Sequence, residues 1–177
     1  AGIVHCDIKP DNLLLRSDTD DWDDWAPGRP GSWAARGLCL VDFGRAVDLT
    51  LLPPGSALVG DSGTEGFRCD EMVAGEAWAF QADAFAAAGV LHVLLHGAYM
   101  EVVGEAGARR PHLPWKRYWR GEMWAEVFCG LLNVRGREAP LDMYRDLEGK
   151  LEGFLGEDPE HGKKLRSLLI KQSIMLR

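Results

Sequence analysis

The feature that most constrains this 177-residue chain is a polar octapeptide, His5 to Asn12, set between short apolar segments. The apolar pair 3–4 leads into it, and Leu13 to Leu15 follows with the character of a buried strand. A second apolar run, Leu38 to Val41, predicts the partner strand of a hairpin with an enlarged connection. The octapeptide therefore places a carboxylate, an ammonium group and an amide on one tight loop beside a hairpin.

Three side chains of this loop have complementary chemistry. Asp7 can accept or orient the proton of a hydroxyl group, and Lys9 can reach a phosphoryl group in transfer. Asn12 can hold a magnesium ion that bridges phosphates. The pattern His-x-Asp-x-Lys-Pro-x-Asn resembles the catalytic loop of the protein kinases, with Cys6 where arginine is usual. The resemblance implies ATP and Mg²⁺ as cofactors, with Asp7 and Lys9 as catalytic residues.

A second motif directly follows the run 38–41. Asp42, Phe43 and Gly44 match the Asp-Phe-Gly signature of the same family. The resemblance makes Asp42 a second magnesium ligand and makes Phe43 a packing residue that sets the active geometry. The resemblance implies that His5 and Phe43 would stack on residues of an N-terminal lobe in a complete kinase, and in this sequence we expect that stack to end in solvent.

Residues 16–37 separate the two motifs more widely than is usual in kinases. This acidic, tryptophan-bearing insertion is punctuated by proline and glycine and shows no periodicity, which predicts a surface loop. A solvated loop is the favoured interpretation, and a partner-docking segment is the alternative.

The glycine-rich stretch 42–71 resembles a kinase activation segment. The resemblance puts Thr64 where kinases acting on Ser or Thr place a threonine that bonds near the catalytic Asp and Lys. It puts Glu71 at the glutamate of Ala-Pro-Glu, although the sequence here reads Cys-Asp-Glu. Asp83 lies where kinases use a buried carboxylate to brace the catalytic-loop backbone. The alternative for Asp83 is an ordinary acidic residue at a helix N-terminus.

Helical patterns dominate the rest of the chain, residues 77–177. Helices are predicted over Ala77–Leu95 with a C-cap at Gly97, and over Gly121–Asn133, Leu141–Leu155 and Gly162–Leu176. Glu101 to Pro114 is predicted to be a loop. Two short strands followed by helices predict a mainly α fold with a short β-hairpin. That order resembles the α+β C-terminal lobe of a protein kinase.

The resemblance is closer to one kinase family than to the others. The stretches at 63–72, 78–85 and 94–100, which read GTEGFRCDEM, WAFQADAF and LLHGAYM, are similar to the Bub family of mitotic checkpoint kinases. That family also lacks the arginine before the catalytic Asp. The resemblance implies a serine/threonine kinase of the spindle checkpoint that transfers the ATP γ-phosphoryl group to protein. It also implies kinetochore or checkpoint partners, a chromatin protein as candidate substrate, and a nuclear, kinetochore location.

Cys6 has a consequence for regulation. The arginine usual at this position pairs with a phosphorylated activation loop. With Cys6 instead, we expect the segment to be held by its own packing and not by a phosphate.

Composition excludes several other functions. The net charge of −7 argues against a nucleic-acid partner, and the longest apolar stretch, Ala84 to Leu95, is too short to cross a membrane. Four scattered cysteines favour a reduced nuclear or cytoplasmic compartment. His92 and His96 share a helix face, but no third metal ligand is evident, so packing is the favoured interpretation.

Two alternatives to an active kinase remain. The residues predict a C-terminal lobe only, because neither a Gly-rich loop nor the strand lysine of an N-terminal lobe occurs in the sequence. We therefore expect the isolated 1–177 chain to be inactive, and a catalytically dead, partner-binding module is the main alternative. A small-molecule phosphotransferase shares His-x-Asp-x-x-x-x-Asn, but the Lys9-Pro10 pair and the stretch 63–71 favour a protein kinase.

Overall fold

Along the chain, the polar octapeptide follows one short strand and leads into another. A computed structural model describes residues 2–15, 38–135 and 138–158, and also 160, 163, 164, 167, 168 and 171. Its strands are β1 (Ile3–Val4), β2 (Leu13–Leu15), β3 (Leu38–Leu40), β4 (Val47–Asp48), β5 (Val102–Val103) and β6 (Arg110–Pro111). Its α-helices are α1 (Asp70–Ala74), α2 (Gln81–His96), α3 (Gly121–Leu132) and α4 (Leu141–Glu157).

The predicted hairpin is formed by β2 and β3. The strands are antiparallel, and Leu14 lies opposite Cys39. The prediction that 13–15 is a buried strand is wrong at its centre, because Leu14 is 54% exposed. Successive side chains of a strand point to opposite faces, so a two-stranded hairpin leaves one face open even when every residue is leucine.

Two further strand pairs are not evident in the sequence. β1 pairs with β4, although 3–4 read as a lead-in and 42–71 as irregular. β5 pairs with β6, so the prediction of a loop over Glu101–Pro114 is wrong there. Each of these strands has two residues, too few for an alternating pattern to be recognised. Gly104 and Gly107 have positive φ angles of 100° and 92° and allow the chain to turn between β5 and β6.

The core centres on α2, which packs against α3. The inward residues of α2 are mostly small, including Ala82, Ala84 and Ala88, and α3 contributes the fully buried Val127 and Phe128. The C-cap prediction is confirmed: Gly97 has φ 70° and donates its N–H to the Val93 carbonyl at 2.8 Å. The predicted α3 and α4 agree with the observed helices to within two residues at each end.

α2 begins four residues later than predicted. Trp78 is instead in an extended bridge with Leu58, and the two residues exchange backbone hydrogen bonds of 2.7 and 2.8 Å. Most of the predicted helix Gly162–Leu176 and all of the insertion at 16–37 lie outside the described residues.

The described residues form two compact units. The first contains residues 2–12 and 41–143, and the second contains β2, β3 and the chain after Met143. All the candidate site residues belong to the first unit. No helix in the described part of the chain is both long and apolar enough to span a membrane.

Candidate active site

The backbone of the catalytic loop is held by Asp83, in the first turn of α2. Its two carboxylate oxygens accept hydrogen bonds from consecutive amides, His5 N at 2.6 Å and Cys6 N at 2.9 Å. Cys6 has a φ of 67°, a conformation that costs free energy for a residue with a side chain. Burial raises the pKa of Asp83, and the two hydrogen bonds oppose that effect. The bidentate contact thus stabilises a strained turn next to Asp7.

Asp7, Lys9 and Thr64 form a closed network. The Thr64 hydroxyl donates to Asp7 Oδ1 at 2.6 Å, and Lys9 Nζ donates to Asp7 Oδ2 at 3.0 Å. Lys9 Nζ also donates to Thr64 Oγ1 at 2.9 Å. Asp7 is only 6% exposed, so these contacts replace most of its solvation. The fold therefore brings Thr64, which lies 55 residues after Lys9 and 57 after Asp7, to the same carboxylate as Lys9.

The network keeps Asp7 ionised. Burial alone would raise the pKa of Asp7, but the hydrogen bonds from Thr64 and Lys9, together with the positive charges of Lys9 and Arg45, lower it below its usual value. Arg45 Nη1 lies 3.7 Å from Asp7 Oδ1. The arrangement presents an oriented carboxylate beside two cations, which suits a group that orients a hydroxyl and accepts its proton late in phosphoryl transfer.

Asn12 and Asp42 are the two candidate magnesium ligands. Asn12 Nδ2 donates to the Asp7 carbonyl at 2.8 Å, and no hydrogen bond between described residues uses its Oδ1. Asp42 is exposed, in a left-handed conformation with φ 62°, and its Oδ1 accepts a long 3.4 Å hydrogen bond from Gly44 N. Mg²⁺ takes oxygen ligands and is commonly held by one or two protein groups together with phosphates and water. These two residues fit that mode of binding. The described residues contain no cluster of three or more His, Cys, Asp or Glu that could hold a metal alone.

His5 joins the catalytic loop to the Asp-Phe-Gly motif. Its Nδ1 accepts from Asp7 N at 3.3 Å, so Nε2 carries the proton and donates to the Val41 carbonyl at 3.1 Å. The ring meets Phe43 edge-on, with centroids 4.8 Å apart, and Phe43 is 55% exposed. The stacking of both rings on an N-terminal lobe remains a prediction.

Glu71 pairs with an arginine that the sequence analysis missed. Arg109 Nη1 lies 3.3 Å from Glu71 Oε1, and Nη2 lies 3.0 Å from Asp70 Oδ2. Arg109 directly precedes β6, and no local pattern connects it with α1. Its guanidinium fixes the end of the activation segment by contacting two acidic residues of α1 at once.

The activation segment has a second anchor at Trp78, which the sequence analysis also missed. The indole Nε1–H donates to the Gly60 carbonyl at 2.8 Å, beside the backbone bridge between Trp78 and Leu58. Further along, Phe67 N donates to the Thr64 carbonyl at 3.0 Å, and the Phe67 ring meets Tyr99 edge-on. These uncharged contacts on both sides of Thr64 act together with the ion pairs of Arg109 at the end of the segment.

Comparison with known proteins gives consistent relatives, although no family model matches the sequence. The chain is 39% identical over 182 residues to the mitotic checkpoint serine/threonine-protein kinase BUB1 of Arabidopsis thaliana, covering 99% of this chain and 35% of the relative. It is 34% identical over 181 residues to the spindle assembly checkpoint serine/threonine-protein kinase bub1 of Schizosaccharomyces pombe, covering 94% of this chain and 17% of the relative.

A solved structure agrees with both the fold and the family resemblance. The crystal structure of the BubR1 kinase domain superposes with a TM-score of 0.73 at 32% identity, over 97% of this chain and 48% of that chain. This confirms the predicted fold class, a helix-rich lobe of protein-kinase type with small sheets. The chain spans about a third of the Arabidopsis relative and about half of the BubR1 kinase-domain chain.

Proposed function

We propose that this chain carries the catalytic half of a serine/threonine protein kinase. The proposal starts from the finding that the homologues of the chain are Bub1 and BubR1 mitotic checkpoint kinases. The observation that carries the proposal is the closed hydrogen-bond network of Asp7, Lys9 and Thr64. This network gives the buried carboxylate the orientation and the neighbouring positive charge that phosphoryl transfer to a hydroxyl group uses, which supports catalysis over partner binding alone. We propose the matching division of the chain: a catalytic loop at 5–12, an activation segment at 42–71 and, from residue 81 to residue 157, a region that contains α2, β5, β6, α3 and α4.

The residues have distinct roles in the proposed phosphotransfer. Asp7 orients the hydroxyl of a substrate Ser or Thr and accepts its proton as the oxygen bonds to the γ-phosphorus and the bond to the β-phosphate oxygen breaks. Lys9, already bonded to Asp7, places a positive charge beside the transferred group. Thr64 holds the second oxygen of Asp7 and so fixes the direction of the free lone pairs. Asn12 and Asp42 would hold Mg²⁺, which supplies charge neutralisation at the phosphates when ATP is bound.

The cellular role is proposed from the relatives. Their names describe mitotic or spindle-assembly checkpoint kinases, which supports protein substrates, checkpoint or kinetochore-associated partners and a nuclear, kinetochore location for this chain. No role is assigned to the insertion at 16–37, because it lies outside the described residues.

A chimera tests catalysis in a complete kinase. The chain replaces the matching segment of the Arabidopsis relative, and transfer of labelled phosphate from ATP to a protein substrate is measured. We expect Asp7→Asn to lower kcat by about 10²–10⁴-fold, because it removes the proton acceptor. Glu76→Gln, an exposed acidic residue outside the network, is the matched control and should leave the rate unchanged.

Two results would contradict the proposal. One is a chimera that melts cooperatively but transfers no phosphate. The other is Asp7→Asn activity equal to that of the parent. Either result would favour a partner-binding module that has retained the kinase fold without its chemistry.

A further inference from the structure

A second arginine, Arg45, lies at the centre of the site but is not part of either motif. It closes the short helical turn Phe43–Arg45 that follows Asp42. Its Nη1 donates to the Ser62 carbonyl at 2.6 Å and lies 3.7 Å from Asp7 Oδ1. One nitrogen therefore connects the catalytic carboxylate to the activation segment.

The site lacks a positive charge at the position before Asp7, where kinases usually carry an arginine. Cys6 occupies that position, and burial, followed by the nearby charge of Asp83, raises the pKa of its thiol to about 11. The thiol is therefore uncharged near neutral pH. The positive charges that act on Asp7 come from Lys9, on Oδ2, and from Arg45, on the side of Oδ1.

Arg45 is connected to Thr64 through a short piece of backbone. Ser62, whose carbonyl it binds, lies two residues before Thr64, and the Thr64 hydroxyl reaches the same Asp7 oxygen that faces Arg45. The segment is also attached at Leu58 by the bridge to Trp78, and at Thr64 by the turn to Phe67. Between those attachments, an ion pair of Arg68 with Asp61 lies within the segment itself, whereas the hydrogen bond from Arg45 joins Ser62 to the side of the site that carries Asp7.

We propose that Arg45 is a positioning residue: it holds the Ser62 carbonyl so that Thr64 presents its hydroxyl to Asp7, and it does so without a phosphate. This inference rests on the phosphotransfer function proposed above. A cation placed after Asp-Phe-Gly thus takes over the task of the arginine that Cys6 replaces, but it binds a backbone carbonyl, an acceptor that is always present.

The first test needs no catalysis. Amide hydrogen exchange is measured on the full 177-residue chain and on Arg45→Ala, Arg45→Lys and, as a charge-matched control, the exposed Arg110→Ala. We expect Arg45→Ala to speed exchange in the peptide 61–68 about 10-fold, with the Leu58 and Trp78 amides unchanged, because a local opening precedes exchange there. Arg45→Lys should restore part of the protection. Unchanged exchange at 61–68 would overturn the proposal.

Because the Arg45 side chain is 51% exposed, we expect Arg45→Ala to fold. If Arg45→Ala nevertheless exposes the Leu58 and Trp78 amides, the opening is global, and Arg45→Met takes its place as the variant. Met keeps an unbranched apolar stem but has no donor for the Ser62 carbonyl. Faster exchange confined to 61–68 in Arg45→Met supports the backbone tether. Exchange at 61–68 equal to that of the parent overturns it.

The second test uses the chimera. Arg45→Ala should lower kcat about 10- to 100-fold and leave the KM for ATP within about twofold, because misplacing a reacting group affects the transition state more than nucleotide binding. Combining it with Thr64→Val should cost no more than Thr64→Val alone. Additive losses would mean that Arg45 does not act through Thr64 and would overturn the proposal.

The two proposals fail in different ways. A parent chimera without activity removes the phosphotransfer function, and the exchange measurement then decides alone whether Arg45 fixes the segment. If the parent chimera is active and Arg45→Ala has the same kcat, the positioning role of Arg45 is rejected and the phosphotransfer function stands.

Discussion

The two ends of α2 stabilise their buried polar side chains differently, one by hydrogen bonds and the other by ring packing. At its first turn, both oxygens of Asp83 accept backbone hydrogen bonds, and both ring nitrogens of the neighbouring His5 are bonded. At its last two turns, His92 and His96 stack with centroids 4.4 Å apart, and the Nε2 atoms of both have no hydrogen-bond partner among the described residues.

The histidine pair is held by rings instead. Trp115 and Trp119 pack on His96, and Phe128 meets His92 edge-on. One hydrogen bond, between His92 Nδ1 and the Ala98 carbonyl at 2.9 Å, accompanies this packing. Directional bonds fix atoms to within tenths of an ångström, whereas ring packing tolerates sliding. The candidate site lies at the end of α2 where directional hydrogen bonds hold the backbone.

The largest effect is expected at the hydrogen-bonded end. Asp83→Ala removes the acceptor of two amides and leaves them unpaired in a strained turn, so the free energy of unfolding should fall by about 3 kcal/mol. Urea unfolding measures the change. Glu76→Gln, an exposed acidic residue just before α2, should stay within about 0.5 kcal/mol of the parent. A loss of unfolding free energy below about 1 kcal/mol for Asp83→Ala would mean that the hydrogen bonds at the first turn stabilise the chain no more than the ring packing at the other end of α2.

A smaller effect is expected at the activation-segment anchor. Trp78→Phe keeps most of the buried ring but loses the hydrogen bond from Nε1 to the Gly60 carbonyl, which should cost about 1 kcal/mol. Faster amide exchange around Gly60 should accompany the loss, with the catalytic loop unaffected. Equal exchange in the parent and in Trp78→Phe would show that the backbone bridge to Leu58 is sufficient.

The histidine end should respond in the opposite direction. His96→Phe preserves a flat ring against His92 and removes an unpaired buried nitrogen, so we expect stability at pH 7 to be equal or up to about 0.5 kcal/mol higher. Thermal melting measures this change. A loss of more than about 1 kcal/mol would mean that the His96 nitrogen has a partner that matters.

The same variant should alter the dependence of stability on pH. Desolvation, followed by the charges of His92 and Lys116, lowers the pKa of His96 in the folded chain. The unfolded chain therefore binds a proton more readily, and stability is lost as the pH falls below about 6.5, the pKa of an unperturbed histidine. The fall in melting temperature between pH 7 and pH 5 should be shallower in His96→Phe. Identical slopes would remove His96 as its cause.

The smallest effect is expected from added negative charge in the activation segment. Ser56→Glu and Val59→Glu, the latter at a 72% exposed position, should not raise kcat in the chimera, because Arg45, Trp78 and Thr64 already fix the segment. Initial rates at saturating ATP measure this. A gain of tenfold or more would show that the segment requires a charge it does not carry.

The sequence predicted the parts of this molecule that follow a local rule. The hairpin, the Gly97 cap and the helices α3 and α4 follow from apolar runs, periodicity and cap chemistry, all of which extend over a few residues. The strand pairs β1–β4 and β5–β6 were missed because two-residue strands are too short to show a period. The predicted start of α2 was too early because pairing with Leu58 holds Trp78 in an extended conformation.

The candidate site divides in the same way. Asp7, Lys9 and Asn12 have a fixed spacing, so they could be named from the sequence as candidates. Arg109, Trp78 and Arg45 act over 17 to 39 residues of separation through a guanidinium or an indole. No spacing rule predicts such contacts. They are determined by tertiary packing and become visible only when the chain is folded.

The attachment of the activation segment by residues alone has a consequence for control in the cell. If Arg45 has the positioning role proposed for it, this loop takes its geometry from an arginine, an indole and a threonine hydroxyl and needs no phosphate. Control of such a kinase would then depend on how much of the protein is present, where in the cell it is located and which partners it binds.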